Sequence, residues 1–218
     1  MGREIVERID LEVERLSLLK HPFYRLWSEG RLSMDALRGY ALEYFHLVRH
    51  VPEMVENVMQ HHDGGEYARE IDNNLREERE HIALWIRFAE ALGISREDLY
   101  AYGVSSKTKE AVERLLTLTS RREGVAAMYA YEAEIPRISA IKLDGLIKYY
   151  SMESKEEATE YQRVHSVVDV RHADLWRRMI SSMPEDAHDS LHACAVESMV
   201  AQNLLLDAVY ERYIKDAC

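Results

Sequence analysis

Apolar residues recur every three or four positions along most of this chain, and no stretch sustains an alternation of apolar and polar residues. That period predicts helices and no strands. Ile5, Ile9, Val13 and Leu16 open the pattern as one face of an amphipathic helix over residues 3–19. The segment HPFYRLWSEGRLS breaks the period and reads as a loop, and Ser33 is placed to cap a helix running to about His61. HHDGG interrupts the chain again, so that His61, His62 and Asp63 read as a polar turn. A helix over 66–92 follows, closed by Gly93. Residues 107–119, 122–134, 136–151, 154–180 and 185–214 repeat the helical period, with Pro136 and Pro184 at boundaries. No internal repeat, low-complexity tract or long linker divides the sequence. The expectation is an all-α fold: a single compact bundle of about seven to eight helices spanning residues 1–218.

Composition narrows the class. The chain has 28 basic and 39 acidic residues for a net charge of −11, which argues against a nucleic-acid or anionic-membrane partner. Two cysteines, Cys194 and Cys218, form no disulfide framework and no zinc ribbon. The charged opening MGREIVERIDLEVERL does not read as a signal peptide, and no apolar run approaches a membrane span. A cytoplasmic protein is expected.

The candidate chemistry lies in HSVVDVRHADLW. At ~100° per residue, steps of four and seven turn about 40° and −20°. On a helix, His165, Asp169 and His172 therefore share a face, flanked by Val168, Leu175 and Trp176. Buried imidazoles and carboxylates must be paired, hydrogen-bonded or bound to metal. A hydrogen-bonded His–Asp pair with a spare histidine and half of a metal site both satisfy that rule. Two-metal sites in helical bundles use an acid-x-x-His unit as a recurring element. With 39 acids in 218 positions, ten histidines should meet an acid at that offset about twice by chance. Five do: Glu43/His46, Glu78/His81, Asp169/His172, Glu185/His188 and Asp189/His192. The last two sit where acids favour a helix N-terminus. Glu43/His46, extended by His50, is a reserve site. Glu78/His81 reads either as a ligand pair or as part of a solvated charged face. Glu132 lies among apolar residues, and Lys142 between Ile141 and Leu143 reads either as buried or as snorkelling outward.

HPFY with Trp27, the pair Glu77-Glu78 before His-x-x-Leu-Trp, YAYEAEIPRISAIKLDGLIKYY, and Y-x3-H-x3-D-x2-H occur in this order over about residues 20–215. Together they resemble the family of the Chlamydia protein associating with death domains, CADD. Those are haem-oxygenase-like di-metal oxidases related in fold to TenA and PqqC. The resemblance implies a haem-oxygenase-like fold and six metal ligands: Glu78, His81, Glu132, His165, Asp169 and His172. The family separates its first Glu and His more widely than Glu78 and His81 are here, which leaves Glu77 as an alternative first ligand.

The resemblance also implies two transition-metal ions (iron, or iron with manganese), dioxygen as co-substrate, an unidentified electron donor and a homodimer. It further implies synthesis of para-aminobenzoate for folate by a self-sacrificing reaction. Tyr24 would give the ring and Lys142 the nitrogen, with Tyr40, Tyr131 and Tyr161 around the metals. Thirteen tyrosines against three phenylalanines leave phenols where phenyl rings would pack equally well. Imidazole suits iron and manganese, and carboxylates neutralise and bridge them. Without cations, such carboxylates should repel one another and titrate at raised pH. Alternative readings are an oxidase of an external small molecule, a metal-free PqqC- or TenA-like enzyme, and a non-enzymatic interaction protein.

Overall fold

A computed structural model describes residues 2–62 and 65–215; Asp63 and Cys218 lie outside them. Among the described residues every regular element is helical. The α-helices are α1 (Gly2–Arg15), α2 (Pro22–Ser28), α3 (Met34–Val48), α4 (Val51–His62), α5 (Ala68–Ala91) and α6 (Arg96–Ala101). They continue as α7 (Ser106–Thr119), α8 (Gly124–Glu132), α9 (Ile135–Tyr150), α10 (Glu156–Ser181) and α11 (His188–Tyr213). None is long and apolar enough to cross a membrane.

The sequence undercounts these segments for local reasons. HPFYRLWSEGRLS is not all loop: Pro22 opens α2, and the His21 ring accepts the Phe23 N–H at 3.1 Å. Proline suits a first helical position, but histidine is an uncommon cap and seven residues show little periodicity. The expected 33–61 helix is two helices, because α4 starts beside Pro52, whose missing N–H ends the ladder. Ser33 caps α3 as expected, accepting from Ala36 N at 3.1 Å. His61 and His62 form the last turn of α4 rather than a separate loop.

Helix α8, GVAAMYAYE, is buried at every position. A helix apolar on all sides belongs in a core, and burying it carries Glu132 inward. Helix α11 packs on α1, α3, α7 and α8, and α10 packs on α5, α8 and α9. Glu43 holds the α7 end of the structure. It accepts from Ser105 N at 3.1 Å and from Arg212 at 2.9 Å, and the Thr108 hydroxyl donates to it at 2.5 Å. This satisfied carboxylate removes Glu43, His46 and His50 from the candidate metal sites.

Trp27 crosses α9 closely enough to donate its indole N–H to Lys142 O at 3.2 Å. A Cβ on Gly145 would stand 2.6 Å from that same indole nitrogen, so only glycine lets α2 and α9 approach this far. Gly145→Ala is expected to cost about 1–3 kcal/mol by overpacking, read as a lower thermal midpoint by calorimetry; an unchanged midpoint would show that α2 can move away freely.

Candidate metal centre

Helix α10 places His165, Asp169 and His172 on its buried stripe, and α5 places Glu78 and His81 opposite; all five are at most 6% exposed. Ligand atoms of Glu78, His81 and His165 lie within 4.8 Å of one another, and so do those of Glu78, Asp169 and His172. Glu78 is common to both triads. Its Oε1 is 3.2 Å from His81 Nδ1 and 3.3 Å from His172 Nδ1, and the His81 and His165 rings are 4.2 Å apart. Burial therefore removes the charged-face reading of Glu78/His81.

Glu77 points elsewhere. One of its oxygens meets His172 Nε2 at 2.6 Å, and the other accepts from Arg171 at 3.1 Å. Glu77 thus fixes the His172 ring with Nδ1 turned toward Glu78 and Asp169, the outer half of a carboxylate–histidine pair that orients a metal ligand. His165 is fixed similarly, its Nδ1 lying 2.7 Å from Tyr161 O, which leaves Nε2 inward. Glu132 stands outside both triads but beside them. Trp176 donates its indole N–H to Glu132 Oε2 at 2.6 Å.

The donor atoms themselves test whether cations fit. His81 Nδ1, His172 Nδ1, Glu132 Oε1 and both Asp169 oxygens are buried without a hydrogen-bond partner. Such orphans cost free energy unless something binds them. Cations at the two triads would satisfy the orphans of His81, His172 and Asp169 in a nitrogen–oxygen donor set suited to transition metals.

The electrostatics agree, with one departure from expectation. Burial and the charges of Glu78 and Glu132 hold the Asp169 carboxyl well above its usual range. Burial raises Glu132 to about 8. Glu78 moves the other way: burial is outweighed by the close approach of the His172, His81 and His165 imidazoles. Burial lowers His165 to about 3, whereas Glu78, Glu132 and Asp169 overcome burial to raise His172 to about 10.

A second cluster adjoins the first. Tyr161 stacks on His165 at 3.8 Å and meets the Trp85 ring edge-on at 4.7 Å. Trp85 lies 5.7 Å from Tyr40 and 5.1 Å from Tyr44. Lys142 is 2% exposed, so it does not snorkel, and its Nζ reaches Tyr40 Oη at 3.2 Å. Burial brings this amine down to about 7. Tyr24 is buried beside Tyr40, and burial raises its phenol far above the usual range. Tyr131 is buried on the Tyr44 side, also with a raised phenol. Tyr44 and Trp85 are absent from the residues expected from sequence. Tyr44 follows Tyr40 by four positions on α3, a helical offset that marks it in hindsight. Cys194 is buried, and burial pushes its thiol up to about 12, so it offers no reactive thiolate of the kind a thiaminase uses.

The chain belongs to the TENA/THI-4/PQQC family, which it matches over residues 10–201. It is 33% identical to a Chlamydia muridarum protein named 4-aminobenzoate synthase, over 97% of this chain and 92% of the relative. A Nitrosomonas europaea protein of the same name is 29% identical over 95% and 91%. Among solved structures, a TenA homologue from Pseudomonas syringae superposes with a TM-score of 0.80 at 17% identity, covering 96% of this chain and 92% of the other. A CADD-like protein of unknown function from Nostoc punctiforme superposes with a TM-score of 0.69 at 16% identity, covering 98% of each chain. The haem-oxygenase-like fold expected from the sequence is the fold observed.

Proton linkage sets a testable pH dependence. Glu132, Asp169 and His172 all hold protons more tightly in the folded chain than in the unfolded one. Their stabilisation is present at low pH and fades as pH rises through the folded values, about 8 for Glu132 and about 10 for His172. Lys142, lowered to about 7, acts oppositely above that pH. The lowered His165, His46 and His62 act oppositely only up to about pH 6.5–7, where their unfolded forms lose their protons. Metal-free protein should therefore melt at a lower temperature at pH 8 than at pH 6.5. Saturating divalent transition metal should flatten that slope. Calorimetry at both pH values, with and without metal, decides.

Proposed function

We propose that this protein is a 4-aminobenzoate synthase that makes its product from its own Tyr24 and Lys142 at a centre of two transition-metal ions. The name shared by its relatives supports the product. The observation that carries the source is a buried amine with a lowered proton affinity, set among buried phenols and joined to His165 through the Trp85 and Tyr161 rings.

4-Aminobenzoate is a ring with an amine opposite a carboxylate, and a tyrosine side chain is a ring with a hydroxyl opposite Cβ. Conversion requires scission of the Tyr24 Cα–Cβ bond and oxidation of Cβ to a carboxylate with dioxygen as oxidant. It also requires replacement of the ring C–O bond by a C–N bond, with the Lys142 Cε–Nζ bond broken to free the nitrogen and the ring oxygen leaving as water. Bound iron, or iron with manganese, would supply the activation of dioxygen that side chains cannot perform. Glu78, His81 and His165 would hold one ion, and Glu78, Asp169 and His172 the other. Glu132, steadied by Trp176, keeps Oε1 available beside them.

The remaining residues prepare the organic half. Desolvation leaves much of the Lys142 amine unprotonated near neutral pH, and an unprotonated amine is the nucleophilic form. Tyr40 accepts its N–H and anchors it. Phe23, Trp27 and Trp85 are all fully buried and keep water from the ring cluster. Burial also keeps Tyr24 a neutral phenol until it is oxidised.

Protein given Fe(II) and Mn(II) and then exposed to oxygen should release at most about one 4-aminobenzoate per chain, with loss of mass at Tyr24 on peptide mapping. Ring-labelled tyrosine in the chain should pass its label to the product. Tyr24→Phe and Lys142→Met should abolish product while metal content stays near that of the wild type. Glu78→Ala should lower the content of both ions together. Many turnovers on an added small molecule, with Tyr24 intact, would replace this reading with that of an ordinary oxidase.

A further inference from the structure

A cleft of about 370 Å³ lies between α5 and α10, on the outer side of the candidate centre. Asn73, Asn74, Glu77, Arg171, His172 and Arg178 line it. At its mouth Arg178 pairs with Glu70. Arg171, also at the surface, pairs with Glu77 at 3.1 Å, and Glu77 in turn meets the buried His172 at Nε2, 2.6 Å away. Asn74 is 1% exposed, and neither its Oδ1 nor its Nδ2 has a partner.

Two features distinguish this cleft from an ordinary charged groove. Glu77 is the acid that spans the boundary: its side chain is 31% exposed, while the His172 side chain that it touches is 4% exposed. The buried Asn74 amide, a neighbour of Glu132, adds an uncharged polar group to the same wall. The sequence from solvent inward is thus a carboxylate, an imidazole held edge-on by that carboxylate, and then Glu78 and Asp169 facing the other ring nitrogen. The volume is ample for a divalent ion with six waters at ~30 Å³ each.

We propose that this cleft is the loading port of the metal centre and that Glu77 is its receiving ligand. An entering divalent transition-metal ion exchanges water for the Glu77 carboxylate and the Asn74 carbonyl oxygen, then passes the edge of His172 to Glu78 and Asp169. Once the ion is inside, Glu77 returns to His172 Nε2 and Arg171. Glu77 is a positioning residue in the loaded protein and a transient ligand during loading. The inference rests on the metal-centre reading and adds a path to it.

Stopped-flow mixing of metal-free protein with Co(II), followed by the ligand-field absorption of the bound ion, separates path from site. Equilibrium titration of the wild type tests the site itself: no Co(II) bound would remove the centre and the port together. Given binding, Glu77→Gln should slow uptake at least tenfold, with a much smaller loss of equilibrium affinity. Asn73→Trp touches none of the candidate ligands and narrows the cleft mouth; it should slow uptake with affinity unchanged. Wild-type uptake by Glu77→Gln would overturn the proposal, as would an affinity loss equal to its loss of rate. Slow Glu77→Gln uptake beside wild-type uptake by Asn73→Trp would overturn the cleft as the route.

Discussion

Three carboxylates and three imidazoles share one buried volume, and they carry too few protons and hydrogen bonds to satisfy each other. Charged groups in such surroundings lose several kcal/mol of hydration unless they are paired or neutralised. Here the pairing is incomplete. Glu78 takes the favourable position between His81 and His172, and its carboxyl stays ionised. Asp169 and Glu132 are left to hold protons far above their ordinary range. That division leaves donor atoms that cations from outside the chain could balance. It accounts for the elements around it: an α8 that is apolar throughout, ring nitrogens fixed on their outer sides by Glu77 and by a backbone carbonyl, and an indole spent on Glu132.

Much of this was legible in the sequence because helical geometry is regular. The H-x3-D-x2-H spacing defined a stripe, and α10 presents that stripe to the core. Ser33 announced a helix start through ordinary capping chemistry, and α3 begins there. Other features depended on tertiary contact and left no local mark. The α2 helix is one short stretch with an unusual cap. The choice between Glu77 and Glu78 turns on which side of α5 meets α10, and neighbouring residues on a helix are too alike in sequence to say. The downward direction of Glu78 among raised carboxyls follows from two imidazoles arriving from different helices. Lys142 is buried because Tyr40 and Trp85, from α3 and α5, close over its amine, and its own segment holds no mark of them.

The metal donors and the phenol cluster are one construction. Tyr161 and His165 are a turn apart on α10, so the rigidity of one helix sets their 3.8 Å stacking. Trp85 and His81 stand four apart on α5, the opposite wall, where Trp85 meets Tyr161 edge-on. Helix α9 contributes Lys142, and its close crossing with α2 at Gly145 brings Trp27, Phe23 and Tyr24 against the same space. Displacing α2 would disturb the amine and the phenols while leaving the metal donors in place.

Tyr24 sits with 2% of its surface exposed, inside a close-packed aromatic core. If its ring is the one consumed, each chain that has reacted carries a void the size of a benzene molecule. Removing a buried aromatic side chain typically lowers stability by about 3–5 kcal/mol, a large fraction of what holds a domain together. The exhausted molecule would then open more often than a fresh one and expose its backbone to proteases. Burial of that ring would thereby couple the end of the reaction to disposal of the spent chain.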